Sequence, residues 1–192
     1  MKQLIRAAVP VFTVILFAAC NNPEAGKSEH TTDTMAHEGH QGHDHSSMSE
    51  SSAPAAAAVQ LKDDKLNAVY QHYVHLTTAL INGDAAEAKI ASNAIETGAA
   101  TVADGKALGA SAAKVTAAGD IEAQRAAYAD LSNSFISLVK KSGLNSGALY
   151  VDYCPMAMND KGAYWLSANK EVRNPYFGEK MMTCGEVKET IE

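Results

Sequence analysis

The feature that most constrains this chain is a break in composition at Val59. Between Asn21 and Val59 large apolar residues are almost missing, Ser, Thr, Gly, Pro and Ala dominate, and Lys27 is the single base among several acids. Such a stretch cannot bury enough surface to offset its ordering entropy. From Val59 onward apolar residues return with a period, so folding is confined to 59–192. That length suits one core and one domain. The formal charge is −6 and the longest basic run is Lys140-Lys141, so neither nucleic acid nor an anionic membrane surface is an expected electrostatic partner.

The amino-terminal end sets the compartment. Met1 to Arg6 is short and basic, and Ala7 to Ala19 is an apolar run that closes in Leu16-Phe17-Ala18-Ala19-Cys20. The run is shorter than the roughly 20 residues of a membrane-spanning helix and has the small residues that a processing enzyme needs. It resembles a bacterial lipoprotein signal, with Phe17 where Leu is usual. Residues 1–19 are therefore expected to be a signal peptide, and Cys20 the lipidated residue. The expected location is the cell envelope, facing the periplasm through a lipid anchor. Asn21 stands where enterobacteria place a retention Asp, and the choice between inner and outer membrane stays open. Loss of the leader leaves 14 bases against 22 acids. An oxidising compartment bears directly on the two remaining cysteines.

Residues 20–58 read as a disordered tether with a root-mean-square span of roughly 35 Å. Inside it His37, His40, His43 and His45 follow one another closely, with His30 upstream. Imidazole is the commonest transition-metal ligand, and a pliable Gly-containing tract can wrap Cu(II), Ni(II) or Zn(II) without prior order. A secondary, flexible metal site is expected there; the plainer alternative is a solvated polar linker.

Within 59–192, Leu66, Val69, Tyr73, Leu76 and Leu80 keep helical spacing, and Asn82-Gly83-Asp84 supplies a stop followed by a cap. An Ala-rich second helix is predicted over Ala85–Ala103, with Ile95, Ala99 and Val102 on its inner stripe. A short third helix is predicted between Ala107 and Ala118. Asp120 would cap a last long helix to Lys141, buried through Ile121, Tyr128, Leu131, Phe135 and Leu138 and ended by Gly143. The expected fold is mainly α: an up-and-down helical bundle with an irregular Cys/Met/aromatic segment packed on it. His72 and His75 are read as surface residues. No Ser, His and Asp set has the spacing of a triad, so an enzyme is not expected.

After Gly143 the style changes. The stretch from Gly147 to Gly185 holds six of the twelve aromatic residues, both remaining cysteines and four of the seven methionines. Gly, Pro and Asn interrupt it, which predicts turns and short strands with Trp165 and the tyrosines against the helices. Thiolates and thioethers select Cu(I). In an extended chain Cys154 and Met156 would share a side, with Met158 beyond, while in a helical turn Met181 and Cys184 share a face. Cys154, Met156, Met181 and Cys184 are therefore the candidate ligands of one sulfur cage for copper. The competing reading is a Cys154–Cys184 disulfide worth about 3.5 kcal/mol, with methionines as filler. The absence of Cys-x-x-Cys speaks against thioredoxin-like chemistry.

Tyr153-Cys154-Pro155-Met156-Ala157, Gly162-Ala163-Tyr164-Trp165-Leu166-Ser167, and Asn174-Pro175-Tyr176-Phe177-Gly178 with Met181 and Cys184-Gly185 resemble the signature of an uncharacterised domain family. Its members occur as bacterial lipoproteins and as domains appended to periplasmic adaptor subunits of Cus-type heavy-metal efflux pumps. The resemblance spans about Leu61 to Ile191. It implies a helical domain with a copper- or heavy-metal-related role, whose Cys and Met positions map onto Cys154, Met156, Met181 and Cys184. The function expected from the whole is a lipid-anchored periplasmic protein that buffers copper or hands it to an efflux adaptor or pump. The alternative is a structural or protein-interaction domain of the envelope with a Cys154–Cys184 disulfide.

Overall fold

The computed structural model describes residues 58–192. The signal segment, Cys20 and the histidines from His30 to His45 lie outside the described residues. Four successive helices follow a two-residue strand: α1 (Asp64–Asn82), α2 (Ala85–Ala99), α3 (Lys106–Ala117) and α4 (Ile121–Ser142). Each packs on its neighbour in sequence in an up-and-down arrangement.

Local chemistry fixes the boundaries. Asp63 accepts a hydrogen bond from the Leu66 amide at 2.8 Å and caps α1, while Gly83, at φ 73°, ends it in the left-handed conformation. Asp84 caps α2 through the amides of Ala86 and Glu87, and Asp120 caps α4 through that of Ala123. These carboxylates satisfy amides that have no partner inside the helix and complement its positive end. The second helix stops at Ala99, short of the expected Ala103. Residues 100–105 instead turn tightly enough that a Cβ at Gly105 would lie 2.2 Å from the Ala99 carbonyl oxygen. Val102 is still buried, but from a turn.

The carboxyl-terminal part is more regular than its broken periodicity suggests. Strands β1 (Gln60–Leu61) and β2 (Leu144–Ser146) form a small antiparallel pair that ties the two ends of the helical part together. Strands β3 (Leu149–Cys154), β4 (Ala163–Ser167) and β5 (Glu186–Ile191) form an antiparallel sheet in the order β4-β3-β5. Cys154 pairs with Ala163, Asp152 with Trp165, and Val151 with Leu166.

The sheet joins the helices through a buried hydroxyl network. Tyr73 of α1, completely buried, accepts from the Leu166 amide at 2.9 Å and from the Tyr128 hydroxyl at 2.8 Å. Both lone pairs are then used, so its own proton goes to Ser132 Oγ at 2.8 Å. Leu166 lies on a strand at the sheet's edge, and the tyrosine oxygen satisfies an amide that β3 does not reach. Phe135 stacks on Tyr73 at 4.5 Å, and Tyr176 stands between Tyr128 and Trp165 at 5.6 and 5.9 Å. Trp165 and Tyr176 thus pack toward the helices as the sequence predicts, whereas Tyr150 and Tyr153 are half-buried and Tyr164 is exposed, its ring 4.6 Å from that of Tyr153. No described helix is long and apolar enough to cross a membrane.

Candidate functional site

Strand β3 ends at Cys154, whose side chain is fully buried, and the excursion between β4 and β5 returns the chain to it. The excursion turns at Pro175–Phe177, makes one 3-10 turn over Gly178–Met181 and delivers Cys184, half-buried, against the same core. The two sulfurs lie 3.1 Å apart across thirty residues of chain, and both cysteines are free thiols. The hydrogen bond to Cys154 is the largest influence on Cys184; burial and repulsion from a second thiolate act in the same direction. Together they push its thiol up to about 11. At neutral pH Cys184 therefore carries its proton. The pair can close into a disulfide on losing two protons and two electrons, or hold a soft cation on losing its protons.

The candidate methionines are placed differently from one another. Cys184 donates its amide to the Met181 carbonyl at 3.1 Å, so these two share the turn that their spacing predicts, and Met181 is half-buried. Met156 does not continue the strand beside Cys154. Pro155 lacks a ladder donor, and Met156 adopts a right-handed helical conformation in the turn, leaving its side chain 46% exposed. Met158 packs on the core from a left-handed turn that continues through Asn159 and Asp160. Such a run of three L-residues is costly; Asn159 and Asp160 are of the types that enter it most readily, and both are exposed.

Asp152 was not among the candidates. It alternates with half-buried Tyr153 and so shares a side of β3 with Cys154. It is fully buried, and neither carboxylate oxygen has a hydrogen-bond partner. Burial alone raises its pKa to about 7. The signal was present in the sequence as an acid inside the apolar run Leu149-Tyr150-Val151-Asp152-Tyr153-Cys154. Among the described residues no three His, Cys, Asp or Glu side chains group to hold a metal, so Asp152 does not complete a trio with the thiols.

With this geometry in hand, comparison with known proteins adds one finding. Residues 69–147 match the model of a domain family described as Protein of unknown function (DUF3347). The matched stretch covers less than half of the chain: most of α1, the other three helices and β2. It stops before β3, so the dithiol lies beyond it. No match was found among curated proteins or among solved structures.

Away from this region, His72 and His75 are both exposed, and His75 Nε2 lies 2.9 Å from Glu87 Oε2. They are surface residues, as the helical pattern predicts.

Proposed function

We propose that this chain is a lipid-anchored periplasmic metal-binding protein whose Cys154–Cys184 pair takes copper as Cu(I), with the histidine tract as a second gatherer of ions. The observation that carries this reading is the 3.1 Å approach of two free thiols thirty residues apart in the chain. Two thiolates suit a soft monovalent ion, and the site offers no competing hard ligand trio among the described residues. Met181, half-buried and in the same turn as Cys184, is the candidate thioether that would add a third soft donor. Cys184 holds its proton up to about pH 11, so uptake of the ion releases protons and weakens as pH falls. Copper would supply only its affinity for sulfur; no redox step by the ion is needed to buffer it or pass it to an efflux adaptor.

A second reading follows from the same distance. Sulfurs this close need only a small movement to bond, and in an oxidising compartment the pair would then staple β3 to the excursion in a structural or interaction domain. Alkylation separates the two. In protein purified without reductant and then unfolded in urea, Cys154 and Cys184 should both react with iodoacetamide, and in the folded protein the half-buried Cys184 should become shielded by one equivalent of Cu(I). Thiols that resist alkylation until a reductant is added would support the staple instead.

A further inference from the structure

Cys184 stands at the end of a long irregular excursion, yet its position is fixed from three directions. Asn174, fully buried, ties both limbs of that excursion together. Its amide donates to the Met182 carbonyl at 2.8 Å, its Nδ2 donates to the Cys184 carbonyl at 2.7 Å, and its Oδ1 accepts from the Tyr176 amide at 2.8 Å. The turn it organises is pinned to the helices by Arg125, which donates from Nε to the Pro175 carbonyl and from Nη2 to the Leu80 carbonyl. Gly178 passes so close that a Cβ there would lie 2.5 Å from Arg125 Nη2 and 2.7 Å from the Ile81 oxygen. Beyond Cys184, Gly185 takes φ +140° with its backbone against β3; a Cβ would lie 2.9 Å from the Tyr153 oxygen and 3.0 Å from Trp165.

We infer that Asn174 is the positioning residue of the dithiol, holding Cys184 opposite Cys154 in the reduced protein through its bond to the Cys184 carbonyl. Every conformational freedom removed from Cys184 before reaction raises the effective concentration of one thiol at the other. The inference rests on reading Cys154 and Cys184 as a working pair, but its test needs no metal.

The test uses the full chain equilibrated with glutathione disulfide and glutathione. In the forward direction the Cys154 and Cys184 thiols lose two protons and two electrons and form one S–S bond. The S–S bond of glutathione disulfide breaks, and its two sulfurs take up those electrons and protons as two glutathione thiols. Asn174→Asp keeps the acceptor for Tyr176 and removes the donor to Cys184. We expect its equilibrium constant for disulfide formation to fall about tenfold, a rise of about 30 mV in reduction potential. Ser92→Ala removes a comparably buried bond, to Thr116 between α2 and α3, and should leave the constant unchanged while lowering stability.

An Asn174→Asp constant within twofold of wild type, or an equal shift in Ser92→Ala, would overturn the inference. Amide exchange in the reduced wild type decides independently of any variant. The amides of Asn174, Tyr176, Gly178 and Cys184 should be protected, and exchange at unstructured-loop rates contradicts a preset arm. A chain that binds no Cu(I) but shows the glutathione shift retires the copper reading and leaves this one standing. Copper binding with no shift does the reverse.

Discussion

The hydroxyl of Tyr73 on the first helix accepts a hydrogen bond from the backbone amide of Leu166, ninety-three positions later on an edge strand. That single oxygen also takes the Tyr128 proton and gives its own to Ser132. It is the polar joint between the helical part and the sheet that carries Cys154. Tyr73→Phe keeps the ring and its stacking on Phe135 but leaves a buried amide and two hydroxyls to find new partners. A loss of roughly 2–3 kcal/mol in urea unfolding is expected, larger than for Ser132→Ala, because an unsatisfied buried donor costs more than a bond gains. Equal losses in the two variants would show that the joint does not depend on this oxygen.

Asp152 makes stability depend on pH. Its folded pKa, about 7, lies above the unfolded value, so the unfolded chain ionises first as pH rises. Below about pH 4 both states are protonated and there is no penalty. Between about pH 4 and 7 stability falls, by an amount on the order of 4 kcal/mol for a group this buried. Reduced protein should therefore melt at higher temperature at pH 5 than at pH 7.5, and Asp152→Asn should remove most of that difference. An unchanged pH profile in the variant would assign the dependence elsewhere.

Arg125 joins three parts of the chain at once. Its guanidinium reaches the Leu80 carbonyl, the Pro175 carbonyl and Glu122 Oε1, and only the last contact faces solvent. Arg125→Lys preserves the charge and loses the planar fork, so it cannot serve both buried carbonyls. We expect a loss of about 2 kcal/mol and faster amide exchange at Gly178. A variant as stable as the parent, with Gly178 still protected, would mean that the turn stands without its clamp.

The histidine tract is separable from the sulfur pair. Changing His37, His40, His43 and His45 together to Ala should lower retention of Cu(II), Ni(II) or Zn(II) on dialysis. It should leave Cu(I) binding at Cys154 and Cys184 untouched. Unchanged retention would mark the tract as an inert linker.

How much of this was legible beforehand follows from the chemistry of each segment. The helices were, because Asp84 and Asp120 stand where caps must stand and the apolar stripes keep a period of 3.6. The end of α2 was misplaced because the Ala- and Val-bearing residues 100–103 have the same composition as the helix before them, while the chain there already turns back to bring Gly105 against the Ala99 carbonyl. The sheet was legible merely as short strands, since Leu149 to Cys154 shows no clean alternation: Val151 and Asp152 are both buried, beside a register irregularity with β5. The approach of Cys154 to Cys184 could be guessed from residue types. The Asn174 brace could not, because nothing local distinguishes an Asn-Pro turn that holds a thiol in place from one that merely reverses the chain.

The most direct measurement is a competition titration of the reduced full chain against a Cu(I) chelator, run beside Cys154→Ser and Cys184→Ser. The account predicts one Cu(I) per wild-type chain that neither serine variant retains at the same chelator concentration. Identical titration curves for all three proteins would contradict it.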